Sequence, residues 1–257
     1  MLALLAQLGS VEGDLDANAA RAAEALATHP DADLAVFPEL FLSGYLTAGI
    51  DEFACAPDAP PLRRIAEAAA RAGTAVVVGF PERRDGGRPA NAVACIDRDG
   101  ALAGVYRKTQ LFGAEHEAFS PGSELLLVDL AGRRVAPLVC FDVEFPEPAR
   151  QLAVAGAELI AVSSANMEPF YVDHEVGTRA RAVENRLPVV YANAVGELAG
   201  LVFVGGSRSI APSGDLLAEE PEADERLILA EVGEPGIDDE RVDYLRYLPA
   251  PLPIASR

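Results

Sequence analysis

The stretch Leu138-Val-Cys-Phe-Asp-Val-Glu-Phe-Pro-Glu147 lies where a predicted strand meets a predicted helix. Before it, the apolar and β-branched residues from Arg133 to Val139 predict a strand. After it, Pro146 predicts a helix start, and good helix formers continue to Ala155. Cys140 is therefore placed at a strand end, where a fold can present a side chain beside backbone N–H groups. Most free cysteines are small core residues, so Cys140 alone does not indicate a reactive thiol.

Apolar strands alternate with alanine-rich helices along the whole chain. Hairpins are predicted around Asp99-Gly100 and Ser213-Gly214. The helical period predicts helices at Leu15 to Thr28, Pro61 to Arg71, Glu147 to Ala155 and Asp173 to Arg186. Apolar runs predict strands at Leu2 to Leu8, Leu34 to Phe37, Ala75 to Gly79, Asn91 to Asp97, Ala101 to Tyr106, Leu159 to Ser163, Pro188 to Ala194, Ser207 to Ala211 and Leu216 to Ala218.

The predicted order strand–helix–strand–helix–strand–hairpin occurs twice. This repetition indicates two related halves within one layered α/β domain that covers residues 1–257. The proline-rich and acidic tail, residues 232–257, is expected to lie on the surface or at a neighbouring subunit. The apolar start of the chain lacks a basic region, which favours a buried first strand over a signal peptide.

Composition limits the classes of partner. Half of the 257 residues are hydrophobic, and the formal net charge is −19. This charge argues against nucleic acid or an anionic membrane, since both need a basic surface. Three cysteines without metal-like spacing predict neither a disulfide framework nor a zinc site, and they favour a cytoplasmic location.

Two further motifs place charged side chains at predicted strand ends. Phe37-Pro-Glu-Leu40 puts Glu39 after a buried strand, and Tyr106-Arg-Lys-Thr-Gln-Leu-Phe112 puts Lys108 after a hairpin strand. Folds of the α/β class build their sites at such ends. With Cys140, these residues supply a base, a cation and a nucleophile. A Cys–His dyad with His116 or His174 is an alternative, although neither histidine lies beside a strand-end motif.

The three motifs, in this order, resemble the signature of the nitrilase superfamily of carbon–nitrogen hydrolases. The resemblance extends over nearly the whole chain. It is greatest to the amidase branch, which includes R-stereoselective amidases and 5-aminopentanamidase. The segments that carry this closer resemblance are Leu42-Ser-Gly-Tyr45, Phe119-Ser-Pro-Gly122 and Ala165-Asn-Met-Glu-Pro169.

The resemblance implies a four-layer α-β-β-α sandwich made of two pseudo-repeated halves. It implies that Glu39, Lys108 and Cys140 are catalytic, with Glu115 as a second glutamate seven residues past the lysine. It also implies a homodimer or larger homo-oligomer, and it calls for no metal or other cofactor. One departure is Gln110, where many relatives carry histidine.

The implied reaction is the hydrolysis of a small carboxamide. A free thiol has a pKa of about 8.5, so Glu39 is expected to take the proton of Cys140 while Lys108 stabilises negative charge. Attack on the amide carbonyl gives a tetrahedral oxyanion, held by Lys108 and the Phe141 N–H. Ammonia leaves, a thioester remains, and water activated by Glu39 releases the acid.

Pocket residues are predicted less directly. We expect five residues to line the pocket: Tyr45, Phe141, Glu144, Asn166 and Met167. An acidic neighbour such as Glu168 or Asp173 facing the pocket indicates a substrate with a distal amine, and a basic one indicates a carboxylate. Arg179 and Arg181 are expected to form ion pairs on their helix.

Three alternatives stay open at this point. The first is another hydrolase of the same superfamily, acting on an N-carbamoyl group or a nitrile. The second is a catalytically silent binding protein with the same fold, although such a protein has no need for Glu39, Lys108 and Cys140 together. The third is an acyltransferase that passes the thioester to an amine.

Overall fold

A computed structural model describes residues 1–221, 223–236 and 245, and it begins with an alternation of strands and helices. The first half contains β1 (Leu2–Gln7), α1 (Leu15–Thr28), β2 (Leu34–Val36), a 3-10 helix (Ile50–Glu52), α2 (Pro60–Ala72), β3 (Ala75–Glu82), β4 (Ala90–Ile96) and β5 (Leu102–Arg107). Local chemistry sets the helix ends. The Asp14 side chain caps α1 by accepting from the Ala17 N–H, and α2 begins with Pro60 and ends before Gly73, whose φ is +69°.

A short helix, α3 (Glu115–Ala118), leads into the second half. That half contains β6 (Val128–Leu130), β7 (Arg133–Val139), a 3-10 helix (Cys140–Glu144), α4 (Pro146–Val154), β8 (Leu159–Ser164), α5 (Tyr171–Asn185) and β9 (Val189–Asn193). The remaining strands are β10 (Val195–Leu198), β11 (Leu201–Val204), β12 (Ser207–Ile210), β13 (Leu216–Glu220) and β14 (Arg226–Glu231).

Twelve of these strands form two six-stranded sheets with matching topology, and β10 and β11 pair with each other in a separate two-stranded sheet. The first sheet has the order β14-β1-β2-β3-β4-β5, and the second has β13-β12-β9-β8-β7-β6. In each sheet three consecutive strands are parallel, namely β1, β2, β3 and β7, β8, β9. A hairpin then adds two antiparallel strands, β4–β5 or β12–β13. The predicted duplication is therefore present in the strand order.

Both faces of the first sheet are buried, and alternate residues of β1 belong to different parts of the core. Leu4 packs in a cluster with residues of α1 and α2, whereas Leu5 packs in a cluster with residues of the second sheet. The latter cluster also includes Leu152 of α4 and Ala182 of α5. This division of the core agrees with the predicted α-β-β-α order, and the predicted α/β class is confirmed.

Most predicted elements lie within one or two residues of the observed ones. Helix α1 and strand β7 have the predicted bounds. Strands β6, β10, β11 and β14 are additions, and β14 pairs antiparallel with β1. The predicted tail falls outside the described residues beyond residue 236, except for Leu245. Within the described residues, no helix is long and apolar enough to span a membrane.

Candidate active site

Cys140 lies at the junction of β7 and the following 3-10 helix. Its φ is +44°, in the left-handed region that non-glycine residues rarely adopt. Such strained residues concentrate at functional sites, because the surrounding structure must hold them in place. The side chain is nearly buried, with 7% of the residue exposed. This turn places the thiol at the end of the parallel strands, as the sequence predicts.

Asp142 fixes this turn to the loop that follows β5. Its Oδ2 accepts from the Val139 N–H at 3.0 Å and from the Tyr106 hydroxyl at 2.8 Å. Its Oδ1 accepts from both the backbone N–H and the hydroxyl of Thr109, and from the Gln110 N–H at 2.9 Å. Burial raises the pKa of Asp142, while the Gln110 N–H opposes this rise. The nucleophile turn and the Lys108 loop are thereby held together.

Lys108 lies between two glutamates in the interior. Its Nζ is 2.6 Å from Glu39 Oε1 and 2.9 Å from both oxygens of Glu115. All three side chains have 0% exposure. A buried charge requires a partner and hydrogen bonds. Each member of this cluster therefore depends on the other two.

Four neighbouring groups complete the hydrogen bonding of the two glutamates, and one of them is the Phe112 N–H, which donates to Glu115 Oε2 at 2.8 Å. The Asn91 Nδ2 donates to Glu39 Oε1 at 2.6 Å and to Glu115 Oε1 at 3.1 Å. The Tyr45 hydroxyl donates to Glu115 at 2.8 Å, and the Ala165 N–H donates to Glu39 Oε2 at 3.1 Å. Since Ala165 follows β8 and Glu39 follows β2, this contact joins the two halves of the chain.

The electrostatics of the cluster suit proton transfer. Burial raises the pKa of Glu39 well above its usual range, the charge of Cys140 raises it further, and Lys108 opposes both. Burial lowers the pKa of Lys108, but the Glu39 and Glu115 carboxylates overcome this effect, so its pKa lies well above the usual value. Lys108 is therefore a permanent cation near neutral pH, beside a carboxylate with increased proton affinity.

A narrow cleft of about 20 Å³ opens onto Cys140. The five predicted pocket residues Tyr45, Phe141, Glu144, Asn166 and Met167 all line it, together with Phe112, Ala165, Phe170 and His174. Aromatic rings dominate the rim. Phe112 meets Phe141 and Phe170 edge to face at centroid distances of 5.3 and 5.5 Å.

Several sequence expectations around the cleft need adjustment. His174 lines the cleft, although the sequence places it away from the strand-end motifs. Its ring nitrogens contact Tyr191 at 2.9 Å and Glu144 at 3.2 Å, so the ring is not paired with the thiol. Glu168 and Asp173 are exposed and lie outside the lining. Arg181 pairs with Glu184 on α5, as expected of a helix ion pair.

Sequence reasoning missed Asn91 and Asp142. Asp142 belongs to the quoted motif, and its position two residues after Cys140 was the available signal. Asn91 is the second residue of β4, and nothing local indicates that its side chain meets residues 39 and 115. Among residues 1–221, 223–236 and 245, no three His, Cys, Asp or Glu side chains are grouped to hold a metal ion.

Comparison with known proteins identifies the family. The model of the carbon–nitrogen hydrolase family matches residues 2–238. The chain belongs to the carbon–nitrogen hydrolase family. It is accordingly an enzyme that acts on carbon–nitrogen bonds other than peptide bonds, and the predicted resemblance to nitrilase-superfamily amidases is confirmed.

Relatives of this carbon–nitrogen hydrolase include amidases. An (R)-stereoselective amidase from a Pseudomonas species is 40% identical over 218 residues, which cover 84% of this chain and 79% of that protein. Two solved structures of mutants of the amidase from Nesterenkonia sp. AN1 are each 31% identical. One carries the acetamide moiety of fluoroacetamide, covalently added at the active-site cysteine, and has a TM-score of 0.84 over 96% of this chain and 92% of that one. The other is a butyramide complex with a TM-score of 0.85 over 96% and 94%.

Proposed function

We propose that this carbon–nitrogen hydrolase is a cysteine-dependent amidase that converts a small aliphatic carboxamide to a carboxylic acid and ammonia. One observation carries the proposal. Lys108 is fully buried between Glu39 and Glu115, in the charge field of Cys140 at the strained end of β7. A fold has no structural need for three buried charges beside a strained thiol, whereas acyl transfer uses each of them.

In the first half-reaction Glu39 takes the Cys140 proton and the thiolate attacks the amide carbonyl carbon. A carbon–sulfur bond forms, and the carbonyl electron pair moves to oxygen. Lys108 and the Phe141 N–H hold this oxyanion, and comparable donors contribute about 3–4 kcal/mol each. Glu39 then returns its proton to nitrogen, the carbon–nitrogen bond breaks and ammonia leaves.

In the second half-reaction water attacks the thioester. Glu39 accepts a proton from this water and returns it to sulfur as the carbon–sulfur bond breaks. Glu115 pairs with Lys108 at 2.9 Å, and the Asn91 amide donates to both Glu115 and Glu39. We assign Glu115 the role of positioning Lys108. The relative whose active-site cysteine carries the acetamide moiety of fluoroacetamide supports a nucleophilic cysteine at this position.

The cleft supports a small acyl group. The cleft is narrow, and the phenylalanines at its rim restrict the space for a bulky chain. The butyramide complex of the Nesterenkonia amidase shows that a related amidase binds a small aliphatic amide. N-carbamoyl compounds and nitriles are the competing substrates within the superfamily.

The test is ammonia release by purified protein from small amides, N-carbamoyl amino acids and nitriles. We expect release from amides, and we expect Cys140→Ala to abolish it with the fold intact. Cys55→Ala is the matched control, because burial raises the pKa of that thiol to about 11 and keeps it protonated. Carbon dioxide formed with ammonia indicates an N-carbamoyl substrate. Absence of any release from folded protein favours the silent binding protein and overturns the proposal.

We further propose that the chain is a single cytoplasmic domain that forms a homodimer or larger homo-oligomer. The shared core cluster between the two sheets supports one domain. Exposed apolar side chains on α4 and α5 support pairing through these helices: Val154, Val172 and Val176. Sedimentation of the wild-type protein and of the double variant Val172→Asp, Val176→Asp tests this pairing, and the variant is expected to be the smaller species. A monomeric wild-type protein that sediments like the variant contradicts the proposal.

A further inference from the structure

The rim of the cleft carries one carboxylate. Of the ten lining residues in the described part of the chain, Glu144 is the only acid, and none is lysine or arginine. Its side chain is 29% exposed, whereas the charged side chains of the catalytic cluster are fully buried. The charge that an incoming substrate meets first is therefore that of Glu144.

His174 holds this carboxylate in place. Its Nε2 is 3.2 Å from Glu144 Oε1, and the ring itself is buried, with 2% exposed. No other hydrogen-bond partner of Glu144 is found among residues 1–221, 223–236 and 245. A carboxylate has about four acceptor positions, so most of its acceptor capacity faces the cleft and solvent.

The contacts behind His174 fix the orientation of its ring. Its Nδ1 lies 2.9 Å from the Tyr191 hydroxyl, which in turn lies 3.0 Å from Ser164 Oγ. Because Tyr191 occupies Nδ1, Nε2 is the ring nitrogen directed at Glu144.

No lysine or arginine in the described part of the chain is paired with Glu144. Arg181 donates from its Nε to the carbonyl of the preceding residue, Val143, but its guanidinium is paired with Glu184. The rim therefore carries an acidic group that no permanent cation neutralises. An anionic, partly buried site attracts a cation and rejects a carboxylate, because a desolvated like charge is costly.

We propose that Glu144, held by His174, selects amides whose far end carries an ammonium group and rejects those that end in a carboxylate. This inference rests on the proposed amidase activity and defines its substrate class. Glu144 acts on specificity, while Glu39, Lys108 and Cys140 carry out the bond changes.

The experiment compares three amides of matched length that differ in the charge of the far end. These are 5-aminopentanamide (cationic), hexanamide (neutral) and glutaramate (anionic). For wild type we expect kcat/KM to fall in this order, with about tenfold (about 1.4 kcal/mol) between the first and the second. Raising the ionic strength from about 0.05 to about 0.5 M is expected to narrow the spread, because salt screens exposed charge.

Two variants assign the preference to Glu144. Glu144→Gln is expected to reduce the cationic-to-anionic ratio at least tenfold, and Glu144→Arg to invert it. Glu147→Gln is the matched control, because Glu147 is exposed and outside the cleft lining, and it is expected to keep the wild-type ratio. The salt dependence of wild type tests the proposal even if a Glu144 variant fails to fold.

The outcomes separate this inference from the proposed function. If Cys140-dependent turnover proceeds at equal rates on all three amides, or is fastest on glutaramate, the charge selection is overturned. The amidase assignment is then still supported. A Glu144→Gln ratio equal to that of wild type overturns the role of Glu144. No turnover of any of the three amides overturns both proposals.

Discussion

Strands β1 to β5 in the first half are arranged like β7, β8, β9, β12 and β13 in the second. Each half has three parallel strands followed by a hairpin, and both hairpins have a register shift at their inner strand, at Cys95/Ile96 and at Ser209/Ile210. The ends of the parallel strands differ. After β2 and β5 the chain carries Glu39 and Lys108, whereas after β7 it turns sharply and carries Cys140. The two halves therefore share their arrangement of strands, whereas the reactive groups are different side chains at the strand ends.

The active site requires contacts between the halves. The Ser163 hydroxyl donates to the Phe37 carbonyl at 2.6 Å, and the Ala165 N–H donates to Glu39. Asp142 in turn accepts from Thr109 and Gln110. The nucleophile of the second half is thus positioned against the base and cation of the first. This division of roles between the halves is tested by substitutions at three places. These are the buried cluster around Lys108, Asp142 at the joint between the halves, and the two hairpin turns.

The largest effect is expected from Lys108→Met, which removes the cation of the first half. Activity should fall at least about a thousandfold, since the base and the oxyanion donor act as a unit. The protein should lose roughly 3–5 kcal/mol of stability, because two carboxylates are left buried without their partner. Arg107→Met, at the adjacent and partly exposed Arg107–Glu82 pair, is the matched control. Kinetics and thermal unfolding measure both effects.

The stability loss of Lys108→Met should depend on pH. The folded pKa of Glu39 lies above its unfolded value of 4.5 because of burial. Its contribution to stability is therefore fully present below about pH 4.5 and is lost as pH rises through the folded pKa. Without Lys108 that pKa is higher still. The difference in stability from wild type should be larger at about pH 8 than at about pH 5, and equal differences contradict this account.

A smaller effect is expected from Asp142→Asn, which weakens the joint between the halves. The amide has only one accepting oxygen, so it cannot serve both the Val139 and Tyr106 donors at Oδ2 and the Thr109 and Gln110 donors at Oδ1, and the turn loses buried hydrogen bonds. We expect activity to fall about 10- to 100-fold and stability by about 2–4 kcal/mol. Asp99→Asn, at the exposed tip of the first hairpin, should change neither. If the kcat of Asp142→Asn equals that of the wild-type protein, the joint formed by Asp142 does not position Lys108.

Asn91→Ala changes only the first-half side of the cluster. Loss of its N–H donors destabilises the Glu39 anion, so the pKa of Glu39 should rise further. Since the free carboxylate is the base, the acidic limb of the kcat/KM profile should move to higher pH, with about tenfold lower activity on that limb. Asn185→Ala, which removes a buried amide from α5, is expected to cost stability without moving the limb. An unmoved limb in Asn91→Ala contradicts the assignment of Glu39 as base.

The smallest effects come from equivalent glycines in the two hairpin turns. Gly100 has φ +82° and a Cβ there would lie 2.6 Å from the Ala66 carbonyl of α2. Gly214 has φ +88° and a Cβ would lie 2.5 Å from the Val183 side chain of α5. Because a side chain can rotate and a carbonyl cannot, Gly100→Ala should cost about 2–3 kcal/mol and Gly214→Ala about 1 kcal/mol. Unfolding in denaturant measures both, and a greater loss at Gly214 reverses the comparison.

Local patterns predict regular elements well in this chain. Helix α1 has one capping aspartate and an uninterrupted alanine-rich period, and β7 is a continuous apolar run, so their bounds follow from the sequence. Strand β10 escapes detection because Gly196 and Glu197 interrupt its apolar pattern, and β11 because it has only four residues, Leu201–Val204, between glycines. Strand β14 is flanked by acidic residues and gains its partner, β1, from the far end of the chain.

The site is predictable to the extent that its residues lie in motifs. Glu39, Lys108 and Cys140 follow strands, and parallel strand ends meet at one edge. Asn91 acquires its role from contacts with Glu115 and Glu39, which lie 24 and 52 residues away in the sequence. His174 acquires its role through Tyr191, which lies 17 residues away. No local spacing encodes such contacts.

The phenylalanine rim offers a position for a fluorescent side chain that reports on the cleft. The chain contains no tryptophan, and Phe170 lies at the rim with its ring 5.5 Å from that of Phe112. An indole introduced by Phe170→Trp is the only one in the protein, so its emission reports on the cleft when it is excited at wavelengths that the six tyrosines do not absorb. Formation and decay of the acyl-enzyme can then be followed in real time by stopped-flow fluorescence.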